Sequence, residues 1–478
     1  MKQAKSNLAF SENNLQTTFQ MVLDHVTQYH RSVSDFDVMP TVSQDDIKKR
    51  LRRFDFNNAD RTLEDIIDLL NDIETCSLNV SSPNYFGLFT PKVLLPTIIA
   101  DVLTTAYNPN LGSWDHAPYF VELESYLIQQ LGEKFGYPDR HRDGVFTSGG
   151  TEGNLYGVLC ALNYSFNRLN ETGIQGIKEE LTVYCSAEAH HSVVKALKAV
   201  GLGSKTLRMI PTRADLVMDT KILEIRIKED LTEGKRPLMI IATAGTTGAG
   251  AIDELDRISS ISKAYGIWFH VDAAYGGALI FSSRYKKLLK GIDHSDSISF
   301  DLHKWPALAV GTCVFLTRHN NILRQVFEVE TNYMPRKTKQ ATDPYLNSLS
   351  WSRRSIGFRF YIALFFFGWK GFEELIDSHI RLGRYFSKVF KQANWKVIQV
   401  SALPILCFTH PDLKNRNEKV QAICDEVVGS GKAWISTYKI YDQLYFRACI
   451  INSDTRKPHI EQLLELMNNK IRLSNTES

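Results

Sequence analysis

Trp268-Phe269-His270-Val271 runs without a break into Asp272-Ala273-Ala274-Tyr275-Gly276-Gly277. A short β-rich run ends in an acid, two small residues and a glycine pair, the pattern of a buried strand giving way to a tight loop. The same transition recurs on either side of it. Val145-Phe146 leads into Thr147-Ser148-Gly149-Gly150-Thr151-Glu152-Gly153-Asn154, and Leu181 to Cys185 leads into Ser186-Ala187-Glu188-Ala189-His190-His191-Ser192. Leu238 to Ala242 leads into Gly245-Thr246-Thr247-Gly248, and Ile298 to Phe300 into Asp301-Leu302-His303-Lys304. Helical stretches separate these runs, which predicts an α/β layer structure with a mainly parallel sheet. The unusual residues fall at the C-terminal ends of the strands, where open α/β sheets place their ligands.

Outside this region the pattern changes. Leu15, Phe19, Val22, Leu23 and Val26 recur at helical spacing, as do Leu63, Ile66, Ile67, Leu70 and Ile73, with a polar, proline-containing link around Asp35 to Ser43 between them. Two amphipathic helices cannot close a core alone, so their stripes need the rest of the chain or a second copy of it. Beyond Gly357 a long helix is predicted through Gly371, then strand-like pieces at Leu403 to Thr409 and Leu444 to Ile450. A terminal helix carrying Ile460, Leu463, Leu464 and Met467 closes the chain. The expected organisation is a helical arm over 1–83, a large α/β domain over 84–359 and a small α+β domain over 360–478.

Composition narrows the class of molecule. The chain has 478 residues, 44% hydrophobic and 23% charged, which excludes a disordered or fibrous protein and leaves material for a large core. A formal net charge of +3 gives no global field of the kind that marks a nucleic-acid binder. The basic residues Arg336, Lys337 and Lys339 read more simply as a solvated loop. Seven cysteines, with no CxxC pair, argue against a disulfide framework or a thiolate zinc site and fit a reducing cytoplasmic setting. The longest apolar run, Phe360 to Trp369, is about half of what a bilayer needs, so no membrane partner is expected. Lys2 and Lys5 have no apolar stretch behind them, so a secretory signal is not expected.

Taken singly, the strand-end residues are ambiguous. Ser148-Gly149-Gly150-Thr151 is either a steric turn or a phosphate cradle at a helix N-terminus. Lys304 is either a lysine reaching solvent or a desolvated amine with a lowered pKa, fit to form a Schiff base. Asp272 caps a turn or holds a pyridinium nitrogen protonated. His190 and His191 are surface residues, helix-start residues or a ring stacked on a planar cofactor. As adjacent residues facing different ways, with no spaced third ligand, they make a poor metal site, and none is expected. Together, in loops of one sheet, a phosphate cradle, a stacking His, an Asp for a ring nitrogen and a Lys for an aldehyde make the parts of a pyridoxal 5′-phosphate (PLP) site.

Five segments then carry a resemblance: Thr147 to Asn154, Ala189-His190, Gly245-Thr246-Thr247, His270 to Gly277 and His303-Lys304-Trp305. They resemble the group II PLP-dependent amino-acid decarboxylases, which include aromatic-amino-acid, glutamate, histidine and 2,4-diaminobutyrate decarboxylases. The resemblance extends from about Pro40 to the C-terminus. It implies the fold type I, aspartate-aminotransferase-like PLP architecture and an obligate homodimer, with the first helices as a dimerisation arm. It implies decarboxylation of an L-amino acid to its amine and CO2 through an external aldimine and a quinonoid.

The roles implied are specific. Lys304 carries the cofactor aldehyde, Asp272 pairs with the ring nitrogen, Ala274 packs on one ring face and His190 stacks on the other. Gly150 and Thr151 hold the phosphate with help from the stretch up to His303, and Thr246 touches the ring substituents. Tyr333, in a polar and basic loop from Thr331 to Asp343, is the general acid, and Arg447 receives the substrate carboxylate. Family members with Phe at the loop position resemble aldehyde synthases.

The side-chain pocket of the family corresponds to Asn84 to Pro91 and Asn108 to Pro118, here offering Phe86, Phe89, Thr90 and Trp114 as a wall or as core. Ser113-Trp114-Asp115 resembles diaminobutyrate-type enzymes, and the segment's shape is similar to glutamate-type ones. Acidic, diamino and aromatic substrates all remain open. The alternatives are another fold type I PLP enzyme (an aldehyde synthase, a carbon–carbon lyase or an aminotransferase) and a non-catalytic PLP-binding scaffold.

Overall fold

The computed structural model describes residues 12–53, 55–57, 63–329, 331 and 343–476. Eleven strands are present among them: β1 Asp143–Thr147, β2 Leu181–Ser186, β3 Leu207–Ile210, β4 Arg236–Thr243, β5 Trp268–Asp272, β6 Ser297–Asp301, β7 Cys313–Thr317, β8 Lys396–Ile398, β9 Ile405–Thr409, β10 Ser436–Ile440 and β11 Gln443–Cys449. The first seven form one sheet in the order β1-β7-β6-β5-β4-β2-β3, so the run from Trp268 lies at its centre. All five residues of β5 are buried, as expected of a strand covered on both faces.

Strands β3, β2, β4, β5 and β6 are parallel, and β7 lies antiparallel between β6 and β1. The segment joining β6 to β7 carries no crossover helix, so β7 returns antiparallel, as a short connection requires. The sequence reading had found neither β7 nor β3. The register sets Thr243 beside Asp272 and Asp272 beside Ser299, so one edge of the sheet collects polar side chains.

The early helices are α1 Glu12–Ser32, α2 Gln44–Leu51, α3 Leu63–Cys76, α4 Leu95–Tyr107, α5 Pro118–Phe135 and α6 Gly150–Ser165. α1 and α3 fall where the periodicity predicted them. α2 was not foreseen; it begins at Ser43, whose Oγ accepts from the Asp46 N–H at 3.1 Å. An ion pair of 2.8 Å between His25 and Glu74 joins α1 to α3. Leu15, Phe19 and Leu23 of α1 nevertheless remain 45%, 60% and 58% exposed, so this part of the stripe finds little cover among the described residues.

The long helix reaches from Gly357 to Gln392, well past the predicted end, and is interrupted at Gly368, whose φ of 57° and ψ of −176° are not helical. Phe358, Phe360, Ala363, Phe372, Ile376 and Ile380 enter the core of the large sheet, while Phe386 and Phe390 enter a second core. That second core lies beside an antiparallel sheet ordered β10-β11-β9-β8. Strands β9 and β11 were expected; β8 and β10, with mostly half-exposed residues, lacked a clear apolar signal.

Candidate active site

The helix that follows β1 is laid unusually close to the sheet. A Cβ at Gly153 would collide with Ser299 Oγ on β6, and one at Gly157 would come within 3.0 Å of His270 Nδ1 on β5. These glycines let α6 settle so that Asn154, fully buried, reaches the end of β5. There Asn154 Nδ2 donates to Asp272 Oδ2 at 2.9 Å, and the Ala274 N–H donates to Asp272 Oδ1 at 3.1 Å. Asp272 is thereby held with both oxygens oriented at the floor of a cavity.

The cavity has a volume of about 350 Å³. It is lined by Ser148, Gly149, Gly150 and Thr151 at the start of α6, by His190, by Asp272 and Ala274, and by Asp301, His303 and Lys304. Phe89, Leu88 and Tyr275 close another side. The strand-end residues singled out from the sequence therefore converge, because parallel strands present all their C-terminal loops at one edge.

Lys304 lines the cavity, yet its pKa is not lowered. Desolvation pulls its pKa down, but Asp301 and Asp272 outweigh that and raise it above the ordinary lysine value. The dominant partner is Asp301, whose Oδ2 lies 2.9 Å from Lys304 Nζ. Asp301 is only 2% exposed and its Oδ1 has no hydrogen-bond partner among the described residues. Its carboxylate also lies 3.1 Å from where a Gly150 Cβ would stand, directly against the first turn of α6. The sequence alone predicts no role for Asp301; its position three residues before the lysine is the signal the sequence holds.

The two histidines beside the cavity are neutral donors and acceptors. Burial lowers the pKa of His303 and of His190, against opposing attraction from Asp301 and Asp272. The backbone N–H of Ser192 donates to His190 Nδ1 at 3.2 Å, which leaves the ring proton on Nε2. His303 Nδ1 lies 3.0 Å from the Thr312 carbonyl, so that nitrogen carries the proton. The Glu188 carboxylate accepts from Tyr438 Oη and so ties the His190 loop to β10.

Arg447 on β11 lies just behind the cavity. Nε donates to the carbonyls of Thr247 and Gly248 at 3.1 and 3.0 Å, Nη1 to that of Gly87 at 3.2 Å, and Nη2 is buried without a partner among the described residues. The ring of Phe89 is 5.2 Å from the guanidinium carbon and 5.5 Å from Lys304 Nζ, so one aromatic face serves both cations.

Several expected residues stand elsewhere. Thr246 is fully buried in a turn in which its Oγ1 accepts from the Ala251 N–H at 3.0 Å, while its neighbours Gly245 and Thr247 line the cavity. Phe86 belongs to the second core, packed in the cluster of Phe386 and Phe390, and is not a cavity wall. Thr90 is half-buried beyond Phe89, outside the lining. Trp114 donates through Nε1 to Glu122 at 2.8 Å and packs in a small satellite cluster, also outside the lining. Tyr333 lies outside the described residues.

The donor set fits PLP. A buried carboxylate, an amine and a glycine-lined helix N-terminus surround one space, and Gly150 leaves room there that a Cβ would fill. The comparisons agree. The chain matches the family described as the pyridoxal-dependent decarboxylase conserved domain over residues 48–410. An L-2,4-diaminobutyrate decarboxylase of Acinetobacter baumannii is 32% identical over 384 residues, covering 76% of this chain and 75% of that protein. The acidic amino acid decarboxylase GADL1 of Bos taurus is 28% identical over 377 residues, covering 77% of this chain and 72% of that one. Mouse CSAD superposes with a TM-score of 0.91 at 22% identity, over 96% of this chain and 99% of that one, a likeness of fold.

Proposed function

The chain belongs to the pyridoxal-dependent decarboxylases, PLP-dependent carboxy-lyases, and on that premise we propose that it converts one L-amino acid into its amine and CO2. The observation that carries this reading is the convergence of Lys304, Asp272 and the Gly150–Thr151 helix start on one cavity. Bound there, PLP supplies an electron sink for the pair left behind when the carboxylate departs.

The residues divide the remaining work. Lys304 would hold the cofactor through its aldehyde. Asp272 keeps a proton on the ring nitrogen. His190 covers one ring face and Ala274 the other. Gly150 and Thr151 hold the phosphate, with His303 alongside. Thr246, behind the lining, would reach the cofactor only through its turn. Arg447 orients the substrate carboxylate with the Nη2 that has no partner among the described residues. Tyr333 returns a proton to Cα.

The large domain over 84–359 holds this site, with a small domain over 360–478 and an arm over 1–83. The homodimer reading is supported by the exposed part of the α1 stripe and by exposed apolar residues on two helices that pack together, Leu95, Ile99 and Val102 on α4 and Phe365 and Phe366 on Gly357–Gln392. A cytoplasmic setting is supported by seven free cysteines, six of them buried. No described helix is long and apolar enough to cross a membrane.

The test is a panel of the common amino acids plus 2,4-diaminobutyrate and cysteine sulfinate, with amine read by mass spectrometry and CO2 in parallel. One substrate class should give stoichiometric amine and CO2, and Lys304→Ala should lose nearly all turnover together with the visible absorption of bound PLP. Keto acid without CO2 would move the protein to the aminotransferases.

A further inference from the structure

Beneath the cavity a buried chain of hydrogen bonds runs through β5, β6, α6 and the helix Ser192–Ala199. The indole Nε1 of Trp268 donates to Ser297 Oγ at 2.9 Å, and Ser297 Oγ lies 2.8 Å from His270 Nδ1. His270 Nε2 lies 2.9 Å from Asn154 Oδ1. Asn154 Nδ2 then bonds Asp272 Oδ2 at 2.9 Å and Ser192 Oγ at 2.8 Å, and Ser192 Oγ lies 2.8 Å from His190 Nδ1. Ser297, His270, Asn154 and Ser192 are all buried.

The ends of the chain fix its direction. An indole N–H can only donate and a carboxylate can only accept. Asn154 must turn Nδ2 to the Asp272 carboxylate, which leaves Oδ1 to accept from His270 Nε2–H, so in the neutral ring Nδ1 accepts the hydroxyl proton of Ser297. Burial keeps that ring neutral, its pKa lowered to about 4. Both amide protons of Asn154 are then committed, one to Asp272 and one to Ser192, whose hydroxyl proton goes to His190. Reversing the amide would set its oxygen against the Asp272 carboxylate. A fully satisfied buried network of this kind permits one arrangement.

We propose that Asn154 is a positioning residue for the cofactor ring: one amide sets the carboxylate of Asp272 and the imidazole of His190 relative to each other, and His270 fixes that amide from behind. The proposal rests on Asp272 and His190 contacting the ring from its nitrogen and its face. Nothing in the chain of bonds requires a proton to move during turnover; its work is orientation. Each bond is short because the glycines at 153 and 157 bring α6 down onto β5 and β6.

The test uses the full-length protein freed of PLP and reloaded, with affinity read by fluorescence titration and ring geometry by the visible circular dichroism of the bound cofactor. Asn154→Ala should weaken PLP binding at least tenfold and shrink the visible dichroic band. His270→Leu should do the same, while His270→Gln, whose amide N–H can donate to Asn154 Oδ1, should restore both. Ser192→Ala should reduce the dichroic band with an unchanged melting temperature, and it keeps the question open to measurement if Asn154→Ala does not fold. Wild-type affinity and dichroism in Asn154→Ala, or equal losses in the Leu and Gln variants, would overturn the proposal. Asp272→Asn separates the premise from the proposal. If it leaves affinity and spectrum unchanged, both fall; if it weakens PLP binding while Asn154→Ala does not, only the proposal falls.

Discussion

The Asp301 carboxylate and the Lys304 ammonium are paired at 2.9 Å, with the acid nearly fully buried and its second oxygen unpartnered among the described residues. The amine that must attack an aldehyde is thus stored as a cation, protected by a charge three residues before it. Burying an acid beside a phosphate cradle is costly unless the lysine balances it. The arrangement therefore couples the lysine's charge state to the loading of the site.

Asp301→Asn should lower the pKa of Lys304 and speed reloading of the cofactor-free protein with PLP at neutral pH. A fall of one pKa unit multiplies the free amine about tenfold. The advantage should vanish at high pH, where the wild-type lysine is also neutral. The sign for stability is opposite. A raised lysine pKa contributes stability that is complete below the ordinary value of 10.5 and is lost as pH rises through the folded value. The cofactor-free variant should therefore melt lower than wild type at neutral pH. Stopped-flow absorbance and thermal melts check the two halves, and equal loading rates would remove Asp301 from control of Lys304.

Gly153→Ala should lift α6 from the sheet, since its Cβ would collide with Ser299 Oγ. Overpacking of this kind costs about 1–3 kcal/mol. Because Asn154 is the next residue, PLP affinity should fall together with the urea midpoint. Retention of wild-type PLP affinity would show that the helix has another way to seat.

His270 and His379 are buried neutral, each with a pKa lowered to about 4, chiefly by burial. His379 accepts from the Trp305 indole at 3.1 Å, away from the cavity. The unfolded chain binds these protons near pH 6.5 and the folded chain only near 4, so stability is present above 6.5 and lost as pH falls toward 4. Each ring contributes a slope of about 1.4 kcal/mol per pH unit in that window. His379→Gln should remove one proton's worth of this slope, as urea unfolding between pH 4 and 7 would register. An unchanged slope would mean that the ring is not held neutral.

Tyr333→Phe should cut amine formation by about a hundredfold or more, the usual worth of a positioned proton donor. Under oxygen the lost amine should reappear in part as aldehyde, measured by product mass and ammonia release. An unchanged product profile would exclude Tyr333 as the donor.

Much of this was legible in the linear order of residues. β5 and the loop after it could be read from Trp268 to Gly277 alone, because a strand covered on both faces needs an unbroken apolar run and a ligand-facing loop needs glycine. Lys304, Asp272 and the Gly150 turn were readable for the same local reason. β3 and β7 were not, since short edge or returning strands carry no periodicity that distinguishes them from loop. Phe86 and Phe89 illustrate the limit most simply. Three residues apart and chemically identical, one fills the second core and the other faces Lys304 and Arg447.

The sequence by itself determined the α/β class, the strand-end location of the site and the chemical parts it holds. These follow from short-range rules: alternation, turn chemistry and residue type. Only the tertiary structure decided how those parts act on one another. Asp301 raises the lysine pKa that burial alone would lower, and Asn154 joins Asp272 to His190 across α6 and β5. Both are distance effects between segments remote in the chain or oriented by folding. Coulomb and hydrogen-bond energies depend on ångström separations that no linear spacing encodes.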